Sequence, residues 1–367
     1  MQTWTTDITD KKETFSAEAL ALLFHENALF VDIETTGLSP KYHFCYLIGC
    51  CGRQNDRLVL TQFFCDCPED EADVLKTFEA FTQGYDRMIT FNGMHFDLPF
   101  LEKRCRHHHL FASFANLEHT DIYRECQRLK KPLALISCRQ KAIEEFLGIH
   151  REDSFDGGSL IPVYEEYVKK QDPRRLDLLK LHNFEDVLGM VRLIPILSYR
   201  KIPDQIRVTD LEDCGSELLI RGRLSVLLPV PIRLRLEGIY CILERETFRL
   251  SIPLTPGPLR YYLKDYRKYD YLPQEERVVP KTLAKYVDPS RKTPATPQTC
   301  FLSRDGRFFP LLGEFQTEES AYLFRKSYED RRQYLLLDDT AKSTSFLEQY
   351  IRTFLLHFFP QEPSDPS

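Results

Sequence analysis

ALFVDIETTGL, residues 28 to 38, is an apolar run of β-forming residues that ends on two carboxylates, Asp32 and Glu34. On a strand of period two these acids point to one face and Ile33 to the other. Two like charges held that close are costly unless a cation neutralises them. Hard oxygen ligands suit Mg2+ or Mn2+. A strand edge with two solvated acids would read the same way, so this stretch alone leaves both readings open.

Two further segments extend the pattern. In MITFNGMHFDLPFLEKRC, residues 88 to 105, the run 88 to 91 reads as a strand and Asn92 with Gly93 as the turn after it, which places Asp97 near the start of a short helix. In LDLLKLHNFEDVLGMVRLIPIL, Leu178, Leu179, Leu181, Val187, Leu188 and Val191 recur at helical spacing. His182 and Asp186 stand four apart there and share a face. Asp32, Glu34, Asp97, Asp186 and His182 together are the inventory needed to hold two divalent ions about 4 Å apart and activate a water.

VDIETTGL, FNGMHFDLP and HNFEDV resemble the three motifs of the DEDD superfamily of 3'-to-5' exonucleases, and more closely its bacterial YprB-like branch. Similar stretches continue through HTDIYR (119 to 124), IEEFLGIHREDSFDGG (143 to 158) and LIPVYEEY (160 to 167), so the likeness spans about residues 26 to 203. The resemblance implies a ribonuclease-H-like fold, with Asp32, Glu34, Asp97 and Asp186 as ligands of two Mg2+ or Mn2+ ions. It also implies attack from a 3' end. The third motif departs from the family: one subgroup has a histidine five residues before the aspartate and another a tyrosine four before it, whereas His182 takes the tyrosine's spacing. Separations of five and four differ by about 100° around a helix, so the two are not equivalent. His182 is expected to take or orient the proton of the attacking water; the alternative is a helix histidine that merely bonds a neighbouring backbone.

The 367 residues exceed the usual size of one core, and 43% hydrophobic with 28% charged residues describes an ordinary globule. A net charge of -6 argues against bulk coating of nucleic acid but allows a local phosphate-binding patch. The 11 cysteines lack paired finger spacing, the first 16 residues are unlike a secretory signal, and no run reaches 18 uninterrupted apolar residues. A cytoplasmic protein with reduced thiols and no membrane partner is expected. His107, His108 and His109 read as a solvated helix end in preference to a metal site.

The first half alternates as an α/β layer structure does: strands at 28 to 34, 45 to 51 and 57 to 64, a turn at 52 to 56, a helix at 70 to 82, a strand at 88 to 91, a helix at 96 to 105 and an extended piece near 115 to 119. A helix at 141 to 147 stops at Gly148, and 156 to 159 read as a turn. Basic residues at 130 to 131, 139 to 141, 169 to 170 and 174 to 175 are either solvated faces or flanks of a substrate groove. The expected fold class is therefore α/β, a ribonuclease-H-like mixed sheet with flanking helices over residues 1 to 203, followed by a second, β-rich α+β domain over 204 to 367.

In that second domain, residues 220 to 228, 232 to 243 and 248 to 252 alternate as strands. Residues 260 to 292 carry nine Lys or Arg against five Asp or Glu, with Tyr261, Tyr262, Tyr266, Tyr269 and Tyr271 among them. This segment either binds nucleic acid, through Lys264, Arg267 and Lys268, or packs its tyrosines on the domain's core. An amphipathic helix is expected at 346 to 358, and QEPSDPS should fray. The function expected is two-metal hydrolysis of a single-stranded DNA or RNA end. The other classes open are a non-catalytic nucleic-acid binder and a protein-interaction module working through the C-terminal domain.

Overall fold

The structure, a computed structural model, describes residues 1–150, 157–313, 315 and 322–360. The chain divides into two compact units, Met1–Tyr199 and Arg200–Ser367. In the first, six strands form one sheet: β1 Gln2–Asp7, β2 Ala28–Thr35, β3 Cys45–Gln54, β4 Arg57–Phe64, β5 Arg87–Thr90 and β6 Glu118–Asp121, in the order β1-β4-β3-β2-β5-β6. The segment from β2 to β4 is the expected antiparallel meander, and β5 and β6 continue from β2 in parallel. A central strand covered on both faces must be apolar almost throughout; Ala28, Leu29, Phe30 and Val31 are all buried.

Several elements differ from the sequence reading, each for a local reason. The meander's second turn is narrower than expected: β3 runs on to Gln54, and Asn55 and Asp56, with φ of 47° and 62°, close a two-residue hairpin. β1 was not foreseen, because QTWTTD is polar; as an edge strand it pairs only with β4 and leaves most of its side chains in solvent. Helix α1, Ala17–Phe24, was also not foreseen; it follows directly on the 16 residues read only as lacking a secretory signal, and Ser16 caps it by accepting from the Ala19 N–H at 3.1 Å.

Helices α2 Glu71–Thr82, α3 Asp97–His107, α4 Ile122–Leu129 and α5 Gln140–Leu147 follow, the last ending on Gly148 in the left-handed region at φ 73°. Helix α6, Gly157–Lys170, begins where a turn was expected; Asp156 lies outside the described residues. Helix α7, Pro173–Leu193, packs across β2 and β3. Its buried stripe contains Leu179, Val187, Leu188 and Val191, but Leu178 and Leu181, read as part of that stripe, are exposed. The inward places beside Leu179 go instead to His182 and Asn183.

The second unit contains a five-stranded antiparallel sheet, β7 Ile206–Asp213, β8 Glu217–Leu224, β9 Ile232–Leu236, β10 Ile239–Glu244 and β11 Thr247–Pro253, ordered β7-β8-β11-β10-β9. The alternating run 232 to 243 is a hairpin and not a single strand: Glu237 and Gly238, at φ 54° and 86°, turn it. The C-terminal helix Thr344–Leu356 buries Leu347, Tyr350, Ile351, Phe354 and Leu355, and the Tyr350 hydroxyl donates to the Pro310 carbonyl at 2.6 Å. QEPSDPS lies outside the described residues.

A buried ion pair ties α2 and α3 to the start of β3. Glu71 accepts from Arg104 Nε at 2.8 Å and from the Cys45 N–H at 2.8 Å, and it meets His108 Nε2 at 2.7 Å. His108 is thus a structural partner, unlike the solvated histidine expected. Removing one member of such a pair leaves an uncompensated buried charge. Glu71→Ala is expected to cost about 3–5 kcal/mol in urea unfolding followed by fluorescence of Trp4, which packs on Phe64 in this unit. A loss below about 1 kcal/mol would mean the pair behaves as a solvated one.

Candidate metal centre

β2 delivers Asp32 and Glu34 toward α7, and α7 returns His182 and Asp186. His182 is buried, its Nε2 3.1 Å from Asp186 Oδ2 and 3.5 Å from Glu34 Oε1. Ligand atoms of Glu34, His182 and Asp186 all lie within 4.8 Å of one another, the one such group of potential metal ligands among the described residues. Asp97 opens α3, and its carboxylate accepts from its own N–H and from that of Ile33, the residue between Asp32 and Glu34. Asp32 falls outside the tightest group but within its field, and Asp97 acts on Asp32 in turn. Burial first, and then the charges of Asp186, Glu34 and Asp97, hold the Asp32 carboxyl well above the usual carboxylate range. Burial likewise pushes Asp97 up to about 7.

The structure therefore assembles all five residues singled out in the sequence. It sets His182 between two of the acids, so the imidazole shares the space of the potential ligands. Crowded carboxylates with a nitrogen donor beside them are a donor set that fits a hard divalent cation.

Three supporting residues were missed. Asn183 is fully buried, and its Nδ2 donates to Asp32 Oδ2 at 2.9 Å, a hydrogen bond that favours the charged form of Asp32 against burial and the neighbouring acids. The amide is oriented by Gln62, whose Nε2 donates to Asn183 Oδ1 at 2.9 Å and to the Lys180 carbonyl at 2.9 Å. Gly49, paired in register with both Asp32 and Gln62, admits this arrangement: a Cβ there would lie 2.1 Å from Asn183 Oδ1. The available signal was a glutamine inside the apolar run LVLTQFF and an asparagine beside His182.

The other missed residue is Asp121, within HTDIYR. Its carboxylate accepts from the backbone N–H of Asn92 at 2.8 Å, Met94 at 3.2 Å and Tyr123 at 3.0 Å. It thereby holds the turn before Asp97, in which Asn92 takes a left-handed φ of 67°.

The cysteines form no comparable site. Nine of the 11 are buried, and burial pushes the Cys51 thiol up to about 12, so it packs as a protonated, apolar group. Among the described residues no helix is long and apolar enough to cross a membrane.

Comparison with known proteins finds a family likeness in the first unit. Residues 29–198 match a model of the RNase_H superfamily. The mixed sheet with its flanking helices is a ribonuclease-H-like fold. Over 172 residues the chain is 28% identical to the uncharacterized protein YprB of Bacillus subtilis, a match that takes in 46% of this chain and 41% of YprB. The chain thus matches under half the length of that relative. Among solved structures, a family B DNA polymerase from the archaeon Pyrobaculum calidifontis aligns over 91% of this chain and 46% of its own, at 11% identity and a TM-score of 0.42. E. coli exonuclease I in complex with a dA16 oligonucleotide aligns over 60% and 55%, at 14% identity and a TM-score of 0.29. Scores this low say nothing of the chemistry of the ribonuclease-H-like domain.

The cluster makes stability depend on pH. Between the ordinary aspartate value, about 4, and about 7, folded Asp97 keeps a proton that the unfolded chain has lost. The folded state then binds more protons, so stability falls as pH rises through that window. Metal-free protein is expected to melt at a lower temperature at pH 8 than at pH 5.5, and Asp97→Asn should flatten the dependence; equal slopes for both proteins in thermal melts would contradict the assignment. Asn183→Ala is expected to weaken Mn2+ binding about tenfold in calorimetry, the scale on which groups supporting a metal ligand act. Unchanged affinity would make Asn183 a packing residue only.

Proposed function

We propose that the ribonuclease-H-like domain hydrolyses phosphodiester bonds of nucleic acid in a metal-dependent reaction, removing nucleotides from a single-stranded 3' end. The observation that carries this reading is the convergence of Asp32, Glu34, Asp97 and Asp186 around His182 on one side of β2. Asp32, Glu34, Asp97 and Asp186 would hold Mg2+ or Mn2+, two ions in all. Divalent cations in that position supply positive charge to the phosphate oxygens and lower the pKa of a bound water.

The protein's own groups do the rest. His182, kept in place by the carboxylates on either side of its Nε2, takes or orients the proton of the attacking water. Asn183 fixes Asp32, and Asp121 fixes the turn that presents Asp97. The 3' direction follows the resemblance of the three motifs to the exonuclease superfamily. A single strand is favoured because it reaches a buried site without the cost of opening base pairs. A binder or an interaction module would retain the same carboxylates without relief of their repulsion.

The test is stepwise shortening of 5'-labelled single-stranded DNA and RNA with Mg2+ or Mn2+. Asp32→Asn and Asp97→Asn should abolish shortening while leaving the fold intact, and His182→Ala should slow it by about two to four powers of ten with Mn2+ affinity retained. Full activity in the aspartate variants would sink the nuclease reading. Efficient cutting of covalently closed circles, which have no end, would instead replace the exonuclease by an endonuclease.

A further inference from the structure

The basic and tyrosine-rich segment 260 to 292 is largely committed to its own structure. Tyr261 packs edge-on to Tyr322, and Tyr262 to Phe301 and Tyr328. Arg260 lies 4.3 Å over the Phe301 ring, Lys268 pairs with Asp265 at 2.6 Å, and Arg291 pairs with Glu275. The five-stranded sheet of the same unit presents a different surface. Its inner face buries Leu218, Ile220, Leu234, Cys241, Phe248 and Leu250. By the alternation of a strand, the outward positions of IRGRL, IRLRL and FRL are arginines.

Six arginines stand on that outer face: Arg207, Arg221, Arg223, Arg233, Arg235 and Arg249, all exposed, with no lysine among them. The register sets Arg207 opposite Arg223 and Arg221 opposite Arg249, two cross-strand pairs of like charge. Such pairs are destabilising unless an anion compensates. Acids answer part of the charge: Arg221 meets Asp210 at 2.5 Å and Glu212 at 2.8 Å, Arg223 meets Glu246 at 3.4 Å, and Arg249 meets Glu244 at 3.8 Å. For Arg207, Arg233 and Arg235 no carboxylate lies within ion-pair distance among the described residues. Ile242 is paired with both Arg249 and Arg233, and Tyr240 with Arg235, so apolar and aromatic surface separates the guanidinium groups.

We propose that this outer face, centred on Arg233, Arg235 and Arg249, is a docking surface for the phosphate backbone of single-stranded nucleic acid. The inference rests on the nuclease reading for the identity of the polyanion. Charge complementarity supports it: a guanidinium fork binds phosphate oxygens in pairs, which a lysine cannot do. Arg233 and Arg235, two residues apart on β9, are spaced about 6.7 Å along the strand, with neighbouring strands about 4.8 Å away. That array suits a chain of successive phosphates, and the Tyr240 ring offers a base a stacking partner. A lipid surface fits less well, because the apolar residues sit between the arginines with no protruding apolar face to insert.

The experiment uses the full chain carrying Asp97→Asn, which removes hydrolysis, and measures binding of a fluorescent oligothymidylate by anisotropy across a salt series. Arg233→Ala/Arg235→Ala/Arg249→Ala is expected to weaken binding at low salt by about 10- to 100-fold and to flatten the log-log salt slope by about two, since each lost phosphate contact contributes about 0.7. The corresponding triple lysine variant should recover part of the affinity, and Lys264→Ala/Lys268→Ala should bind as the parent does. Parental affinity and slope in the triple alanine variant would overturn the proposal, as would binding of phosphatidylserine vesicles with none of the oligonucleotide. A chain with native aspartates that binds through these arginines but never hydrolyses would sink the nuclease reading and leave the surface standing. A chain that hydrolyses while its affinity ignores them does the reverse.

Discussion

The crowding of carboxylates beside β2 is the constraint on which the first unit is built. Burial and the charges of Asp186, Glu34 and Asp97 hold the Asp32 carboxyl well above the usual carboxylate range, and burial pushes Asp97 up to about 7. A fold does not gain stability from such a cluster in the absence of cations. The structure nevertheless invests in it. Glycine is required at position 49 so that Asn183 can reach Asp32; Gln62 is buried to aim Asn183; Asp121 gives its carboxylate to three backbone N–H groups so that the turn before Asp97 keeps its shape. Each departs from what packing alone would select at that place.

How much of this was legible in the sequence follows from the range of each interaction. Strand β2, the meander and α7 were readable because their periodicity is local and strong. The five residues of the cluster were readable because acids and a histidine inside apolar segments are conspicuous, and because the three motifs resemble a known superfamily. Asn183, Gln62 and Asp121 were not, since their significance lies in partners 151, 121 and 29 residues away. Leu178 and Leu181 misled for the opposite reason: their spacing is helical, but the inward face at that turn is taken by His182 and Asn183.

The second unit shows the same limit. A linear count of charge drew attention to residues 260 to 292, where lysines, arginines and tyrosines are dense. In three dimensions many of them answer one another. The sheet's arginines are spread over four strands and look unremarkable in the sequence, because each is one polar member of an alternating pair. Hydrogen-bond register brings them together, and only then does opposition of like charges become visible.

The central claim is that the carboxylate cluster is a divalent-cation site, and the most direct measurement is calorimetric titration of chelator-treated protein with Mn2+ near pH 6.5 in buffers of different ionisation enthalpy. Because Asp97, pushed up to about 7, is held partly protonated without metal, binding should be saturable, should release protons, and should be lost or greatly weakened in Asp32→Asn. No saturable binding, or binding without proton release that survives Asp32→Asn unchanged, would contradict the account.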